Sequence, residues 1–363
     1  MKKVIRLKSG TKEWLKFRAE AGLGGSDGAT SLRINPWKSQ TRLFYEKLGE
    51  VQEFEEIDRM FWGTELEDTI VDMWQYWDGI HSGYIANFRN DNIVRKRHRV
   101  NGVIVNDKYP WLFANVDALM NKGAYNLITG DKLKDGGIIE AKNTTKYFLS
   151  SYDDAVPDPW KIQTHIYMIV AEKKYSEVAM LIDNKEYMVH PVEYDEDLAN
   201  TIINYTKSFW YDRVIPAREY VDLKKKYPSK EDYYQSKIIE LEPEPENNKD
   251  YMALMSEKYQ EREFDDSNKM YGNDKDYCHA VRVASYQGIV KDCNNRIGES
   301  KAYFAERFRT LQNKFIHFEN GKVHYRRTKG NRTPVVTIDH KIKGLDEITG
   351  KLHDIIGDLQ NGG

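Results

Sequence analysis

Residues 137–142 read Gly-Ile-Ile-Glu-Ala-Lys, an apolar run that ends in two charged residues. Ile138 and Ile139 favour a buried β-strand. The two-residue period of a strand puts Glu140 and Lys142 on one face and Ala141 on the other, with the Ala141 carbonyl near the same end. Charged residues at strand ends usually face water, so this motif indicates a functional site only if other polar groups reach the same place.

A second strand supplies another acid. Residues 113–119 read Phe-Ala-Asn-Val-Asp-Ala-Leu, with Asp117 near the end of the apolar run. Asp131 and Asp135 are alternatives to Asp117, but both lie in a loop rich in Gly and Lys, where ligands are poorly preorganised. Two carboxylates, a carbonyl and an ammonium group would then converge. Oxygen ligands of this kind favour Mg²⁺, which supports phosphodiester hydrolysis by neutralising the phosphate and activating water.

A helix predicted over 60–78 offers a third acid. Glu65 and Glu67 lie about 200° apart on it, at roughly 100° per residue, so only one of them can face the site. We select Glu67, because it shares a face with Ile70 and Val71. A later helix begins after Pro157 and places Gln163 in its first two turns.

An anion site is predicted near the N-terminus. Gly24-Gly25-Ser26 is a flexible turn before a predicted helix, where a hydroxyl and backbone N–H groups can bind an anion. Arg18 can add a bidentate contact to a phosphate. A simple helix N-cap is the alternative role for Ser26.

Composition limits the classes of protein. The 363 residues carry 55 basic and 57 acidic side chains, a net charge of −2, and 40% of them are hydrophobic, which is typical of a soluble globular chain. Cys278 and Cys293 cannot build a disulfide scaffold or a zinc ribbon. Neither a secretion signal nor a membrane span is visible, so we expect a cytoplasmic protein. Near-neutral charge restricts DNA binding to local basic patches, with residues 95–99, Lys132, Lys134 and Lys146 as candidates.

The patterns predict a mixed α/β domain, an acidic linker and a mainly helical tail. We expect a domain over 1–215, an acidic and Pro-rich linker region over 216–248, and a helical extension over 249–363 with a hairpin near 315–327. The predicted helices are 41–49, 60–78, 158–172, 196–213, 249–262, 276–313 and 344–359. The predicted strands of the first domain are 101–106, 112–119, 136–142, 177–183 and 186–191.

Several short motifs occur in one order along the first half of the chain. They are Trp14-x-x-x-Arg18, Leu23-Gly-Gly-Ser-Asp27, Asn35-Pro-Trp-Lys38, Trp62-Gly-Thr-x-Leu-Glu67, Val116-Asp-Ala118, Glu140-Ala-Lys142 and Gln163-Thr-His-x-Tyr-Met168. In this order they resemble the YqaJ-type viral recombinase nucleases, which are similar to phage lambda exonuclease and belong to the PD-(D/E)xK superfamily. The resemblance implies a restriction-endonuclease-like α/β core, a mixed central sheet flanked by helices. Val116 replaces the proline for which the superfamily is named.

The resemblance also implies roles for individual residues. Asp117, Glu140 and the Ala141 carbonyl would bind Mg²⁺, or Mn²⁺ in its place, with Glu67 as a further acid near the metal. Lys142 would be the catalytic lysine and Gln163 the glutamine of the family motif. Arg18 and Ser26 would bind the 5′-terminal phosphate of the substrate strand.

The implied activity is a Mg²⁺-dependent 5′-to-3′ exodeoxyribonuclease that acts on linear double-stranded DNA ends. It would leave 3′ overhangs for a single-strand annealing protein in phage-type homologous recombination, inside the cytoplasm of a bacterial host. Both a monomer and a processive trimer fit the resemblance. The alternatives are an endonuclease or nickase of the same superfamily and a non-catalytic DNA-binding scaffold.

Overall fold

The computed structural model describes residues 1–8, 10–51, 58–79, 83–152, 156–245, 248–259, 274–311, 315–318, 321–326 and 335–338. The chain divides into two compact units, Met1–Arg262 and Glu263–Gly363. The candidate site residues all belong to the first unit.

The first unit is built around a five-stranded mixed sheet. The strands of this unit, numbered along the chain, are β1 (Lys2–Ile5), β2 (Arg97–His98), β3 (Val103–Asn106), β4 (Phe113–Ala114), β5 (Ala118–Met120), β6 (Gly137–Thr144), β7 (Tyr175–Ile182) and β8 (Glu186–Glu193). The main sheet has the strand order β2-β5-β6-β7-β8. Strands β6 and β7 are parallel, and the other neighbouring pairs of this sheet are antiparallel.

Helices surround the sheet. In this unit they are α1 (Lys12–Glu20), α2 (Gly25–Ser31), α3 (Gln40–Leu48), α4 (Asp58–Trp74), α5 (Tyr84–Arg89), α6 (Lys146–Leu149), α7 (Asp158–Ala171), α8 (Glu196–Ser208), α9 (Ile215–Lys226), α10 (Glu231–Leu241) and α11 (Asn248–Tyr259). A π-helix, Phe209–Val214, joins α8 to α9, and its buried Phe209 and Trp210 pack in the core. The sequence predicted a helix at Gly24-Gly25-Ser26, where α2 begins, but it did not predict α1.

Both faces of the main sheet are covered, and the covering helices fix the orientation of β6. Ile138 packs in the cluster that contains Ile166 of α7, whereas Ile139 packs in the opposite cluster, with Ile70 of α4. Consecutive apolar residues therefore face opposite sides, as the strand period requires. Parallel pairing of β6 with β7 needs a crossover connection, and α7 lies in that connection.

One predicted strand is two strands in the structure. The sequence predicted a single strand over 112–119, but Phe113–Ala114 pairs with β3 in a small three-stranded sheet, and Ala118–Met120 pairs with β6 in the main sheet. The chain changes sheet between them. Asp117 lies at this change of sheet. Its carboxylate accepts a hydrogen bond from the Ala141 N–H at 2.7 Å. If β5 began earlier in the chain, this N–H would instead bond to the backbone of β5.

The segment with the predicted linker, 216–248, contains most of α9 and all of α10. Val221 and Ile238 of these helices are buried in the main core. Helix α11 belongs to the same unit, because Asp250 accepts hydrogen bonds from Ser39 and Arg42. Helices α9 and α10 carry aliphatic residues at helical spacing, a signal that the acidic, Pro-rich composition around residue 243 obscured.

The second unit contains one long helix and a small antiparallel sheet. Helix α12 spans Asp274–Leu311, and the sheet has three strands. Strand β9 (Phe315–Phe318) pairs with β10 (Gly321–Arg326), which confirms the predicted hairpin, and β11 (Val335–Ile338) adds a third strand. The helix predicted over 344–359 lies outside the described residues.

The predicted fold class is confirmed: a mixed α/β core has a central sheet with helices on both faces, and the extension is mainly helical with a hairpin. No helix within the described ranges is long and apolar enough to cross a membrane.

The packing of α2 on α7 gives a testable consequence. A Cβ atom on Gly25 would collide with the Tyr167 ring, whereas one on Gly63 of α4 meets nothing within 4 Å. We expect Gly25→Ala to lower the free energy of unfolding by about 1–3 kcal/mol, because the buried ring must move. The matched Gly63→Ala should raise it by roughly 0.5–1 kcal/mol, because alanine favours a helix interior.

Urea denaturation followed by circular dichroism measures both changes. Equal stability of the two variants would show that α2 does not pack on α7 as described.

Candidate active site

Glu140, Lys142 and Gln163 form one hydrogen-bonded cluster. The Lys142 ammonium donates to Glu140 Oε1 at 2.6 Å and to Gln163 Oε1 at 3.0 Å, and the Gln163 amide donates to Glu140 Oε1 at 2.6 Å. Strand β6 supplies the first two residues, and the second turn of α7 supplies the third. Glu140 is 2% exposed, so its charge is held inside the protein by these two donors.

Asp117 joins this cluster from the neighbouring strand. Its side chain accepts the backbone N–H of Ala141, which lies between Glu140 and Lys142. Its own backbone carbonyl accepts from Arg99 at 2.6 Å. Asp117 is therefore fixed at both ends beside the middle of the Glu-Ala-Lys motif.

Glu67 approaches from α4. Arg99 donates to its carboxylate at 3.0 Å, and the same guanidinium also contacts Asp68. Glu65 is exposed, whereas Glu67 is half-buried. The structure thus places Glu67, and not Glu65, toward Asp117 and Glu140. Arg99 is a residue that the sequence suggested only as part of a basic cluster.

The acids of this site repel one another. Burial and the nearby charges of Glu140 and Glu67 raise the pKa of Asp117 well above its usual value, against the Ala141 N–H and Lys142. Burial also raises the pKa of Glu67, where the Glu140 charge adds to the shift and Arg99 opposes it. Each carboxylate is therefore less stable as an anion than it would be in water.

The donor set fits a divalent cation. Glu140 Oε2 is buried and has no hydrogen-bond partner among the described residues, although its charge would favour one. Among those residues, no three Asp, Glu, His or Cys side chains are grouped closely enough to hold a metal by themselves. Mg²⁺ commonly uses only one or two carboxylates and keeps several waters. Asp117 and Glu140, with the Ala141 carbonyl, meet that smaller requirement.

Two aromatic side chains that the sequence did not single out complete the cluster. The Tyr167 hydroxyl accepts from the Gln163 amide at 3.0 Å, one helical turn along α7. Burial and the charges of Glu140 and Asp117 raise the pKa of Tyr167 well above its usual value, so the phenol stays protonated. The Trp160 ring lies 5.8 Å from the Lys142 ammonium. The four-residue spacing of Gln163 and Tyr167 was the available signal.

Arg18 and Ser26 lie together, beside a buried acid. Arg18 donates to the Ser26 hydroxyl at 3.1 Å. Next to Ser26, the carboxylate of Asp27 pairs with Lys47 at 2.8 Å and lies 3.8 Å from Lys38. Gly24 is the N-cap of α2, and its N–H bonds to the Asp27 side chain, so Ser26 is not the N-cap.

Charge in this region is positive on balance. Three cations, Arg18, Lys38 and Lys47, face two acids, Asp27 and Glu46, which leaves one excess positive charge (3 − 2 = +1). Burial alone would raise the pKa of Asp27, but Lys47, Arg18 and Lys38 outweigh it and hold the pKa of this carboxyl well below its usual value.

The basic cluster 95–99 does not form an open basic patch. Arg95 is buried against Glu177 at 2.6 Å, and it stacks on Trp74. Arg97 pairs with Asp72, and Arg99 pairs with the acids of α4. The three arginines pair with acids of α4 and of the sheet. The prediction that the cluster contributes to a DNA groove is therefore wrong for Arg95, which is buried.

The remaining loop candidates are exposed. Lys132 and Lys134 lie on the surface, as do the alternative acids Asp131 and Asp135. Lys146 is 69% exposed and pairs with Glu186 at 2.7 Å. Asp117, and neither loop acid, bonds to the Glu-Ala-Lys strand.

The buried charge of Asp27 predicts acid sensitivity. Because its pKa is lower in the folded than in the unfolded chain, its ion pairs stabilise the protein above pH ~4, and this stability is lost as the pH falls below that value. Asp27→Asn should lower the free energy of unfolding at pH 7 by about 3–5 kcal/mol, because Lys47 stays buried without its counter-charge.

Glu196→Gln is the matched control. Glu196 pairs with Lys174 at 3.3 Å, but both side chains are about 70% exposed, so we expect a change of at most ~1 kcal/mol. Urea denaturation at pH 3–7 measures both variants. A similar small effect for Asp27→Asn would refute the buried ion-pair network.

Comparison with known proteins finds one matching family model and one similar curated protein. Residues 13–174 match the family model of the YqaJ-like viral recombinase domain. The chain is also 28% identical over 244 residues to the uncharacterized protein YqaJ of Bacillus subtilis (strain 168). That alignment covers 63% of this chain and 66% of the relative, just under two thirds of its length.

Solved structures of low sequence identity are similar to 60% of this chain. The crystal structure of an alkaline exonuclease (LHK-Exo) from Laribacter hongkongensis has a TM-score of 0.44 at 17% identity, covering 60% of this chain and 98% of that chain. The complex of LHK-Exo with dAMP has a TM-score of 0.43 at 19% identity, with coverages of 60% and 99%. The match to the family model confirms the resemblance drawn from the ordered motifs over residues 13–174.

Proposed function

We propose that this protein is a Mg²⁺-dependent 5′-to-3′ exodeoxyribonuclease acting on linear double-stranded DNA ends. The observation that carries the proposal is the buried Glu140 carboxylate. One of its oxygens is held by Lys142 and Gln163, and the other is buried without a partner in the described part of the chain. A buried anion that lacks a donor is costly unless a cation completes the site.

Asp117, Glu140 and the Ala141 carbonyl would hold the metal, with Glu67 as a further acid beside it. When bound, Mg²⁺ or Mn²⁺ would supply positive charge to the phosphate and acidity to water. Repulsion among the carboxylates supports this assignment, because the raised pKa values of Asp117 and Glu67 mark a place that lacks positive charge.

Lys142 is the proposed catalytic lysine. Two of its three N–H donors bond to Glu140 and Gln163, which fix the ammonium group in position. The third donor would orient the attacking water or meet the negative charge that develops on the phosphate oxygens. Gln163 is a positioning residue, held in turn by its bond to Tyr167.

The region around Arg18 favours an exonuclease over an endonuclease. Arg18 and Ser26 would bind a terminal 5′ phosphate, and the positive charges of the neighbouring Lys38 and Lys47 would favour an anion there. Helix α2, which carries Ser26, packs directly on Tyr167 at Gly25. The proposed phosphate pocket therefore adjoins the catalytic cluster, so a strand bound by its 5′ end would pass Lys142.

The product and partners follow from this direction of hydrolysis. Removal of the 5′ strand would leave a 3′ overhang for a single-strand annealing protein in phage-type recombination, in the cytoplasm of a bacterial host. All the proposed catalytic and phosphate-binding residues lie within 1–215, the range predicted for the nuclease domain. A monomer and a trimer remain the two alternatives for the assembly.

Hydrolysis of defined DNA substrates tests the activity. We expect the wild-type protein with Mg²⁺ to degrade a linear duplex with 5′ phosphates faster than one with 5′ hydroxyls, and to leave a covalently closed circle intact. Lys142→Ala and Asp117→Asn should lower the rate at least ~100-fold, because each removes charge that acts on the transition state. Arg18→Ala should reduce the preference for the 5′ phosphate about tenfold or more.

Glu65→Gln is the control, since this exposed acid lies two residues from Glu67 but faces away from the site. Cutting of the circle at the rate of the linear duplex would favour the endonuclease. Full activity of both Lys142→Ala and Asp117→Asn would remove the active-site assignment and leave a DNA-binding scaffold.

The proposed metal site also predicts how replacement of Asp117 changes the stability of the protein. The expected change is opposite in sign to the one expected for Asp27→Asn. In EDTA at pH 7, Asp117→Asn should raise the free energy of unfolding by on the order of 1 kcal/mol, because it removes a disfavoured charge while its amide oxygen can still accept from Ala141. Mg²⁺ or Mn²⁺ should raise the melting temperature of the wild-type protein and of Glu65→Gln, but not that of Asp117→Asn. Calorimetry with and without the ion measures this, and equal shifts in all three proteins would contradict it.

A further inference from the structure

A cavity opens beside strand β6, which carries Glu140 and Lys142. It has a volume of about 400 Å³, and among its lining residues are Trp37, Asn143, Thr144, Tyr147, Phe148 and Asn184. This volume lies in the range of small-molecule sites. None of the proposed catalytic or phosphate-binding groups lines it.

The chain places this cavity next to Lys142. Asn143 and Thr144 are the last two residues of β6 and directly follow the lysine, while Tyr147 and Phe148 belong to α6, which begins two residues later. Thr144 is two residues from Lys142, roughly 6.6 Å along an extended strand. A nucleotide bound at Lys142 therefore has its neighbour within reach of the cavity.

Aromatic rings form one wall. The ring centroids of Trp37 and Phe148 are 5.3 Å apart, and Phe148 lies 5.4 Å from Trp160, whose ring is next to the Lys142 ammonium. The inner rings are thus fixed by packing. The side chains of Trp37 and Tyr147 reach the surface, since Trp37 is 47% and Tyr147 is 87% exposed. Fixed aromatic rings with an accessible face are typical platforms for base stacking.

Polar residues also line the cavity. The Thr144 hydroxyl is buried and has no hydrogen-bond partner among the described residues, although it adjoins the cavity. Asn184 lies in the turn between β7 and β8, where Asp183 and Asn184 have φ angles of 51° and 54°, as in a type I′ hairpin turn. An amide and a hydroxyl can bond to the edge of a base.

The charge of the cavity argues for a base and against a phosphate. Its lining includes Asp183 and no Lys or Arg, and the adjacent Lys146 is paired with Glu186. An aromatic wall, neutral polar groups and one acid would repel a phosphate but accept the flat face of a nucleobase. The cavity therefore differs in kind from the cation-rich pocket at Arg18.

We propose that this cavity holds one unpaired nucleobase of the bound DNA strand, next to the phosphate at Lys142, with Trp37 and Tyr147 as its stacking partners. The inference rests on the proposed nuclease function, which it deepens. A base held there would be out of the duplex, so the cavity would help to separate the strand that is being cut.

Binding of abasic DNA tests this without hydrolysis. The probe is a 5′-phosphorylated duplex with three unpaired terminal nucleotides, in which each base is deleted in turn, and fluorescence anisotropy in EDTA gives Kd for the full-length protein. One abasic position should weaken binding to the wild-type protein roughly tenfold, the usual effect of losing one stacked base. Trp37→Ala should weaken binding of the intact probe by a similar factor and should no longer discriminate against the abasic one.

Three further variants make the result specific. Trp37→Phe should restore most of the discrimination, because it keeps an aromatic face. Tyr147→Ala, at a position exposed enough to leave folding intact, should also reduce it. Tyr205→Ala removes an exposed ring on α8, away from the cavity, and should behave as wild type.

Equal binding of every abasic probe by the wild-type protein would overturn the proposal, and so would unchanged discrimination in both Trp37→Ala and Tyr147→Ala. These outcomes are separable from failure of the nuclease itself. Loss of hydrolysis in Lys142→Ala with no abasic effect would keep the nuclease and remove the base site. Weaker binding of the abasic probes by a wild-type protein that does not hydrolyse DNA would keep the base site and remove the nuclease.

Discussion

The hydrogen bond from the Ala141 N–H to the Asp117 carboxylate is the contact on which the cluster of Asp117, Glu140, Lys142 and Gln163 depends. It joins the two strands that carry the acids, and it replaces a backbone pair that would have continued β5. By ending that pairing, it lets the chain leave the main sheet for the smaller one. One short acid thus sets both the course of the backbone and the relative positions of Asp117 and Glu140.

Two groups of charged side chains, one rich in cations and one rich in acids, lie near this contact. Around Asp27, three cations surround one buried acid and stabilise its charge. Around Asp117, three acids lie near one another, and burial together with the Glu140 charge raises the pKa of Asp117 and of Glu67. The packing of α2 on α7 brings the two groups next to each other. The cation-rich side has the chemistry of a phosphate site, and the acid-rich side has the chemistry of a metal site.

Local patterns in the sequence were enough to predict the elements around the site. The apolar period of β6 oriented Glu140 and Lys142 correctly, and the helical angle between Glu65 and Glu67 selected the acid that the structure places inward. The roles of Arg99, Lys47 and Tyr167 were not visible, because they arise from contacts between residues far apart in the chain or between neighbouring helices. The division of 112–119 into two strands was missed for the same reason, since it depends on a side chain that bonds across to Ala141.

The parallel arrangement of β6 and β7 has a consequence for how the protein is made. Two parallel neighbours can pair only after the intervening crossover has formed, and α7 is part of that crossover. Lys142 comes from the first strand, and Gln163, which steadies it, comes from α7. The nascent chain therefore cannot assemble its lysine and glutamine before about residue 182 has been synthesised and the crossover has closed.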